Sequence, residues 1–245
     1  MTVASAQPYR RSGGALFCEG VPLADIASRF GTPTYVYSRS AIEAAFAAYA
    51  DALRGRPSLV CYAMKANSNL AVLNLLARSG SGFDIVSGGE LARVIAAGGD
   101  PRKVVFSGVG KTADEIRAAL TAGIHCFNVE SESELLLLAA TAAAAGARAP
   151  VSFRVNPDVD PRTHPYISTG LKESKFGVDF DAALPLYRRA ARMPSIEIRG
   201  IDIHIGSQIT ELAPYREAAG KVLALVDRLA AEGIALAHVD LGGGL

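Results

Sequence analysis

Leu59-Val-Cys-Tyr-Ala-Met-Lys65 is a short apolar run closed by a lysine, and comparable β-rich runs begin at Gly82, Val104 and Ile124. Starts at 59, 82, 104 and 124 leave 23, 22 and 20 residues per unit. That spacing fits one strand, one turn and one helix. Ala/Leu-rich segments of helical period fill the gaps at 70–78, 89–97 and 113–122. The alternation continues outward, with strands expected at 151–155, 198–205 and 238–241 and helices at 133–145, 180–191 and 214–231. A further strand at 34–37 and a helix at 40–53 precede the series, after the break Gly31-Thr-Pro33. Strands alternating with helices predict an α/β fold with a parallel sheet. An eight-stranded (β/α) TIM barrel needs about 250 residues and carries reactive side chains at the C-terminal ends of its strands. Lys65, Asp84, Arg154 and His204 each close or follow an apolar run. A Rossmann-like open sheet is the competing fold, but no G-x-G-x-x-G follows the first strand.

Composition removes several function classes. Lys+Arg total 25 against 24 Asp+Glu, a net charge of +1, so the electrostatic footprint of a nucleic-acid binder is missing. Half of the residues are hydrophobic, as in a folded globular protein and unlike a disordered one. The longest weakly polar run, 135–147, contains Thr141 and Gly146, falls short of the roughly 18 residues of a membrane span, and reads as a buried helix. Arg10-Arg11 resembles a twin-arginine signal, but Ser12, Gly13, Gly14 and Glu19 interrupt any apolar segment after it, which predicts a cytoplasmic protein. Cys18, Cys61 and Cys126 form no C-x-x-C pair, and His125, His164, His204 and His238 lack local metal-ligand spacing, so no metal is expected. The segment 156–178, rich in Pro, Asp, Gly, Ser and Thr, has the length of a lid or binding loop.

Four features could carry chemistry, and each has a plainer reading. Partial burial of Lys65 at a barrel mouth would lower its pKa and make a neutral amine available for a Schiff base, although a strand-end lysine also simply reaches solvent. Three glycines after the last strand, Gly242, Gly243 and Gly244, could bring backbone N–H groups up to a phosphate, or make an ordinary turn. His204-Ile-Gly-Ser207-Gln208 could lay an imidazole on an aromatic cofactor and offer a hydroxyl to phosphate, or be a histidine before a Gly-Ser turn. Asp84 and Glu90 flank a strand-to-helix turn that could aim both carboxylates into the mouth, although an acid there is commonly a cap. A glycosidase pair would leave the lysine, histidine and glycines without a role.

Taken together, Tyr62-Ala-Met-Lys65-Ala-Asn67, Gly82-Phe-Asp84, Phe153-Arg-Val-Asn-Pro157, His204-Ile-Gly-Ser207-Gln208 and Asp240-Leu-Gly-Gly-Gly244 resemble the fold-type III pyridoxal-phosphate decarboxylases. These enzymes have an alanine racemase-like TIM barrel. Within them, His164-Pro-Tyr-Ile-Ser-Thr-Gly170, Leu171 and Lys175-Phe-Gly177 are closer to the diaminopimelate decarboxylase family than to the ornithine or arginine enzymes. The resemblance implies pyridoxal 5'-phosphate as cofactor, an internal aldimine on Lys65, His204 stacked on the pyridine ring, and phosphate held by Ser207, Gly242, Gly243 and Gly244. Asp84, Glu90 and Arg154 match positions lining the cofactor, and the loop after Asn156 matches one that closes over substrate. The implied reaction converts meso-2,6-diaminopimelate to L-lysine and CO2 in a homodimeric lyase of lysine biosynthesis.

Family members continue into an eighth strand and a C-terminal β-domain that are absent here. The barrel of residues 34–245 is therefore expected to be truncated before its eighth strand and inactive alone, with residues 1–33 an appendage that packs on the absent domain. A non-catalytic pyridoxal-phosphate carrier and an amino-acid racemase of the same fold remain alternatives. The substrate-type loop argues against both.

Overall fold

The protein was analysed as a computed structural model, which describes residues 7–160 and 176–244. The seven expected strands of the repeated series all form: β4 (Cys61–Ala63), β5 (Gly82–Ile85), β6 (Val104–Phe106), β7 (Cys126–Val129), β8 (Ala149–Asn156), β10 (Ile196–Asp202) and β11 (His238–Asp240). They pair in parallel in the order β11-β10-β8-β7-β6-β5-β4. A short strand that the sequence did not suggest, β9 (Val178–Asp179), pairs with the end of β8. Crossover helices α3 (Leu70–Arg78), α4 (Gly88–Ala96), α5 (Ala113–Ala122), α6 (Glu132–Ala144), α7 (Phe180–Ala190) and α8 (Ala213–Ala231) separate the strands. α2 (Arg39–Ala52) comes before them.

Cap residues start most of these helices where the sequence places them. Ser38, Asn69, Ser87, Thr112, Ser131 and Asp179 each accept a backbone N–H in the first turn, and Thr112 with Glu115 forms a reciprocal capping box.

Strand alternation divides the sheet into two unlike faces. Phe83, Ile85, Phe106, Phe127, Val129, Val151, Phe153 and Ile201 are fully buried in the apolar core with the helices. Each such side chain contributes about 1.5–3 kcal/mol by leaving water. The alternate residues, Asp84, Asn128, Ser152, Arg154, Asp202 and Asp240, are polar. Curling of the sheet brings that face inward. β7 and β11 are three strands apart, about 14 Å in a flat sheet, yet Cys126 Sγ and His238 Nε2 are 3.9 Å apart. The sheet is thus the curved wall of a TIM barrel.

Tyr187 ties helix to sheet. Its ring meets Phe153 edge-on at 4.6 Å, and its buried hydroxyl donates to Gly200 O at 2.8 Å. Tyr187→Phe removes that hydrogen bond and is expected to cost about 0.5–1.5 kcal/mol in urea unfolding; an unchanged midpoint would mean that the bond contributes nothing.

Two expectations are corrected, and one segment shows structure that the sequence did not suggest. The strand expected at 34–37 does not form, because no neighbouring edge among the described residues supplies ladder bonds; Tyr35 and Tyr37 instead stack on each other, 6.5 Å apart and largely exposed. The run at 135–147 is not a wholly buried helix: α6 buries Leu135, Leu138 and Ala142 on one face and exposes Leu136 and Leu137. Residues 9–30 hold regular structure of their own, a separate antiparallel sheet of β1 (Tyr9–Ser12), β2 (Ala15–Cys18) and β3 (Val21–Pro22) followed by α1 (Leu23–Phe30). Glu19 Oε1 fastens this unit to the start of α2, accepting from Ser38 Oγ at 2.7 Å and Ser40 N at 2.9 Å.

Candidate active site

The strand ends bring most of the sequence candidates to one end of the barrel. β4 stops at Ala63, and a single 3-10 turn (Met64–Ala66) carries Lys65 beyond it. Met64 is fully buried and anchors the turn, while Tyr62 Oη donates to Asn67 O at 3.2 Å and closes it. Lys65 is exposed, so the partial burial expected from its position is not found. Its charge acts on both Asp84 and His204, which places the three groups around a common space.

Asp84, on β5, accepts a 2.6 Å hydrogen bond from Ser107 Oγ, and Asn128 Nδ2 donates to the same hydroxyl at 3.3 Å. Burial pushes the Asp84 carboxyl up to about 6, against the Ser107 bond; Asp240 and Glu90 push the same way as burial and Lys65 opposes them. Glu90 lies within electrostatic reach of Asp84, but its Oε2 accepts from Val86 N at 2.7 Å, so it also closes its own helix start. Asp202, on β10, is fully enclosed and shifted well upward, mainly by desolvation and then by Asp240.

Arg154 is held from two sides. Its Nη1 donates to Glu130 Oε2 at 3.1 Å, and its guanidinium carbon lies 5.2 Å from the centre of the Phe176 ring. Glu130 also accepts from Gly108 N and Gly177 N, both at 3.2 Å, so one carboxylate joins three strand-end loops. Behind it, buried Lys111 Nζ donates to Glu134 Oε1 at 2.6 Å, Gly108 O at 2.7 Å and Asn128 O at 2.8 Å. The loop expected at 156–178 is pinned at both ends: Lys221 Nζ donates to Pro157 O and Asp158 O, and Glu130 receives Gly177 N. Its middle, with His164 to Gly170, Leu171 and Lys175, lies outside the described residues.

His204 follows β10 by two residues and so lies on the inward face with Asp202. Burial lowers its imidazole to about 4, aided by the charges of Arg154 and Lys65, so the ring is neutral at pH 7. Gly243 N donates to its Nδ1 at 3.2 Å, which leaves the proton on Nε2. A depressed histidine pKa carries stability that is complete above 6.5 and lost as pH falls towards 4, about 3 kcal/mol over that window. In unfolding of the cofactor-free protein, His204→Gln should lose that part of the acid slope; parallel curves would contradict the burial argument.

The glycine loop packs directly on the histidine loop. Gly242 (φ +68°) and Gly244 (φ +103°) have left-handed backbones, and a Cβ on either would overlap the carbonyl oxygen of Ile203 or Gly206. Around Gly243 there is open space. Ile209 N donates to Gly244 O at 2.7 Å and locks the two loops together. Ser207 is exposed beside them. A cavity of about 410 Å³ lined by Tyr37, Arg39, Asn69 and Arg78 contains none of the predicted site residues.

Ser107, Glu130, Asp202 and Asp240 were missed in the sequence. Asp202 and Asp240 could have been found, since each precedes a singled-out residue by two positions in an apolar strand. Ser107 and Glu130 act through partners on other loops and give no local signal.

Residues 39–245 match the family described as pyridoxal-dependent decarboxylase, pyridoxal binding domain. The diaminopimelate decarboxylase of Pseudomonas aeruginosa is 66% identical over 230 residues, covering 94% of this chain and 55% of that protein. The crystal structure of the Helicobacter pylori diaminopimelate decarboxylase complexed with L-lysine superposes with a TM-score of 0.89 at 46% identity, over 91% of this chain and 57% of that one. The M. jannaschii enzyme in co-complex with L-lysine gives 0.92 at 42% identity, over 98% and 57%. The chain spans about half the length of the relatives it matches. A curled parallel sheet whose strand ends gather a lysine, a neutral histidine and a side-chain-intolerant glycine loop fits that domain, and the chain belongs to the pyridoxal-dependent decarboxylase family.

Proposed function

We propose that this chain carries the cofactor half of an enzyme that decarboxylates meso-2,6-diaminopimelate to L-lysine and CO2. The observation that carries the reading is the convergence of Lys65, Asp84, His204 and the Gly242–Gly244 loop at one barrel end. The donor set suits pyridoxal 5'-phosphate: an exposed primary amine for an aldehyde, a flat neutral imidazole for an aromatic ring, and a hydroxyl beside backbone that excludes side chains for a phosphate. When bound, pyridoxal phosphate supplies a conjugated system that takes up the charge left as carbon dioxide departs. Lys65 Nζ would attach the cofactor and, as a primary amine at the barrel mouth, could hold a proton for return to the reacting carbon. His204 would cover the ring without adding positive charge, since its imidazole is neutral at pH 7. Ser207 Oγ and the Gly242–Gly244 loop would hold the phosphate, with Gly242 N and Gly243 N spent on Asp240 Oδ1 and His204 Nδ1 and so shaping the loop, while Asp84 and Glu90 would line the cofactor and orient the lysine. Glu130 fixes Arg154 and the end of the 156–178 loop together, so that the loop closes over a preset wall.

The named relatives are diaminopimelate decarboxylases, and both solved structures described above hold L-lysine, which supports the substrate. The division into an appendage of residues 1–33 and a barrel of 34–245 belongs to the same proposal and is supported by the separate antiparallel sheet. A homodimer is expected from the family resemblance alone. No helix among the described residues is long and apolar enough to cross a membrane, and the three cysteines are free thiols, as suits a reducing cytoplasm. The test is to supply the full-length protein with meso-diaminopimelate, L-ornithine and L-arginine and measure CO2 and L-lysine. Stoichiometric L-lysine from meso-diaminopimelate alone is expected. Release from ornithine or arginine instead, or tight cofactor binding without any turnover, would overturn the assignment.

A further inference from the structure

The opposite end of the barrel, where the strands begin, holds a second cluster that the proposed reaction does not use. Cys126 opens β7, His125 immediately precedes it, and His238 opens β11. One ligand-capable atom from each lies within 4.8 Å of the other two. Cys126 Sγ and His238 Nε2 are 3.9 Å apart, and the two imidazole rings are tilted at 5.2 Å between centres. A tetrahedral zinc-type centre has bonds of about 2.3 Å to sulfur and about 2.0 Å to nitrogen, which puts its ligand atoms roughly 3.3–3.6 Å from one another. No ligand pair in the cluster needs to close by more than about 1.5 Å to reach that arrangement.

Two features of the surrounding sheet bear on this geometry. Gly200, the register partner of His238 on β10, would bring a Cβ to between 2.5 and 2.6 Å of His238 Cδ2 and Cε1, so the missing side chain is what lets the ring lean inward across β10 towards Cys126. Ser152, the register partner of Gly200 on the other side, is fully buried, and its hydroxyl is the one buried side-chain polar atom among the described residues without a hydrogen-bond partner. That hydroxyl is on the same strand face as Arg154 and faces the barrel interior. Access exists from below: a cavity of about 400 Å³ reaches His125 among Arg102, Arg148, Glu197 and Arg199. Arg199 is paired with Glu197 at 2.9 Å and Arg102 with Asp100 at 3.0 Å, which reduces the repulsion an entering cation meets.

We propose that His125, Cys126 and His238 bind one thiophilic divalent cation of the zinc class, with water as fourth ligand, as a structural clip between β7 and β11. Binding replaces the S–H bond of Cys126 with an S–metal bond, and the thiol proton leaves to solvent. Both histidines bind as neutral imidazoles, the state that burial already favours in each. The clip joins strands that are not neighbours in the sheet, at the end of a barrel where residues serve stability and not catalysis. It does not depend on the decarboxylase reading.

The test uses the full-length holoenzyme, stripped with a chelator and titrated with Zn2+ against a chromophoric competitor. One Zn2+ per chain is expected, with a rise in Tm on loading. Affinity should fall by more than the roughly 10–100-fold typical of losing a partner outside the coordination sphere, both in Cys126→Ser and in His125→Gln, whose half-buried side chain lets the variant fold. Cys61→Ser should bind as wild type. Absence of stoichiometric uptake by the wild type, or equal uptake by His125→Gln and wild type, would overturn the proposal.

Discussion

Lys65→Ala is expected to abolish cofactor retention and to lower kcat/KM of the full-length enzyme at least about 10³-fold, while leaving the fold intact. The activity loss combines two effects. The covalent attachment goes, and with it the group that returns a proton at the reacting carbon, for which a positioned side chain contributes about 10²–10⁴-fold. Stability should hardly change, because Lys65 is exposed on its 3-10 turn and makes no packing contribution to the core beneath Met64; exposed substitutions of this kind stay within about 0.5 kcal/mol. Steady-state kinetics, cofactor absorbance after gel filtration and a urea titration separate the two quantities. A variant that keeps its cofactor and turns over near the wild-type rate would remove Lys65 from the chemistry.

The glycine loop gives the second large effect, and its three members should behave differently. Alanine at Gly242 or Gly244 must adopt a left-handed backbone, costing about 1–2 kcal/mol, and its Cβ meets a carbonyl oxygen of the Ile203–Ser207 segment. Neither backbone can yield without shifting His204, so about 1–3 kcal/mol of overpacking is added. Gly242→Ala and Gly244→Ala should therefore lose about 2–5 kcal/mol in unfolding and lose the cofactor as well. Gly243→Ala meets open space and should fold as wild type. Any cofactor weakening in it then reports on the phosphate directly. Equal stability of all three variants would mean that the loop is an ordinary turn.

The inward face of the barrel shows how much of the site could be read in advance. Each strand lists its site residue with a period of two: Cys61, Ala63 and Lys65; Ser152 and Arg154; Asp202 and His204; His238, Asp240 and Gly242. The 20–23-residue spacing of the apolar runs, with Ala/Leu-rich helical segments between them, made seven strands legible, and the family resemblance supplied the roles of Lys65 and His204. What stayed hidden depends on pairings between distant loops. Lys111 finds Glu134 23 residues away, and Glu130 finds Gly177 47 residues away; neither separation leaves a trace in local composition. The segment 34–37 failed for the related reason that β-propensity describes side chains suited to a sheet, and among the described residues no neighbouring edge pairs with it.

The account rests on Lys65 being the residue that carries pyridoxal phosphate. Borohydride reduction of the full-length holoenzyme, followed by proteolysis and mass mapping, locates the attachment. The label is expected on the peptide containing Tyr62-Ala-Met-Lys65-Ala-Asn67 and nowhere else. A label on Lys103, Lys111 or Lys172, or no covalent label at all, would contradict it.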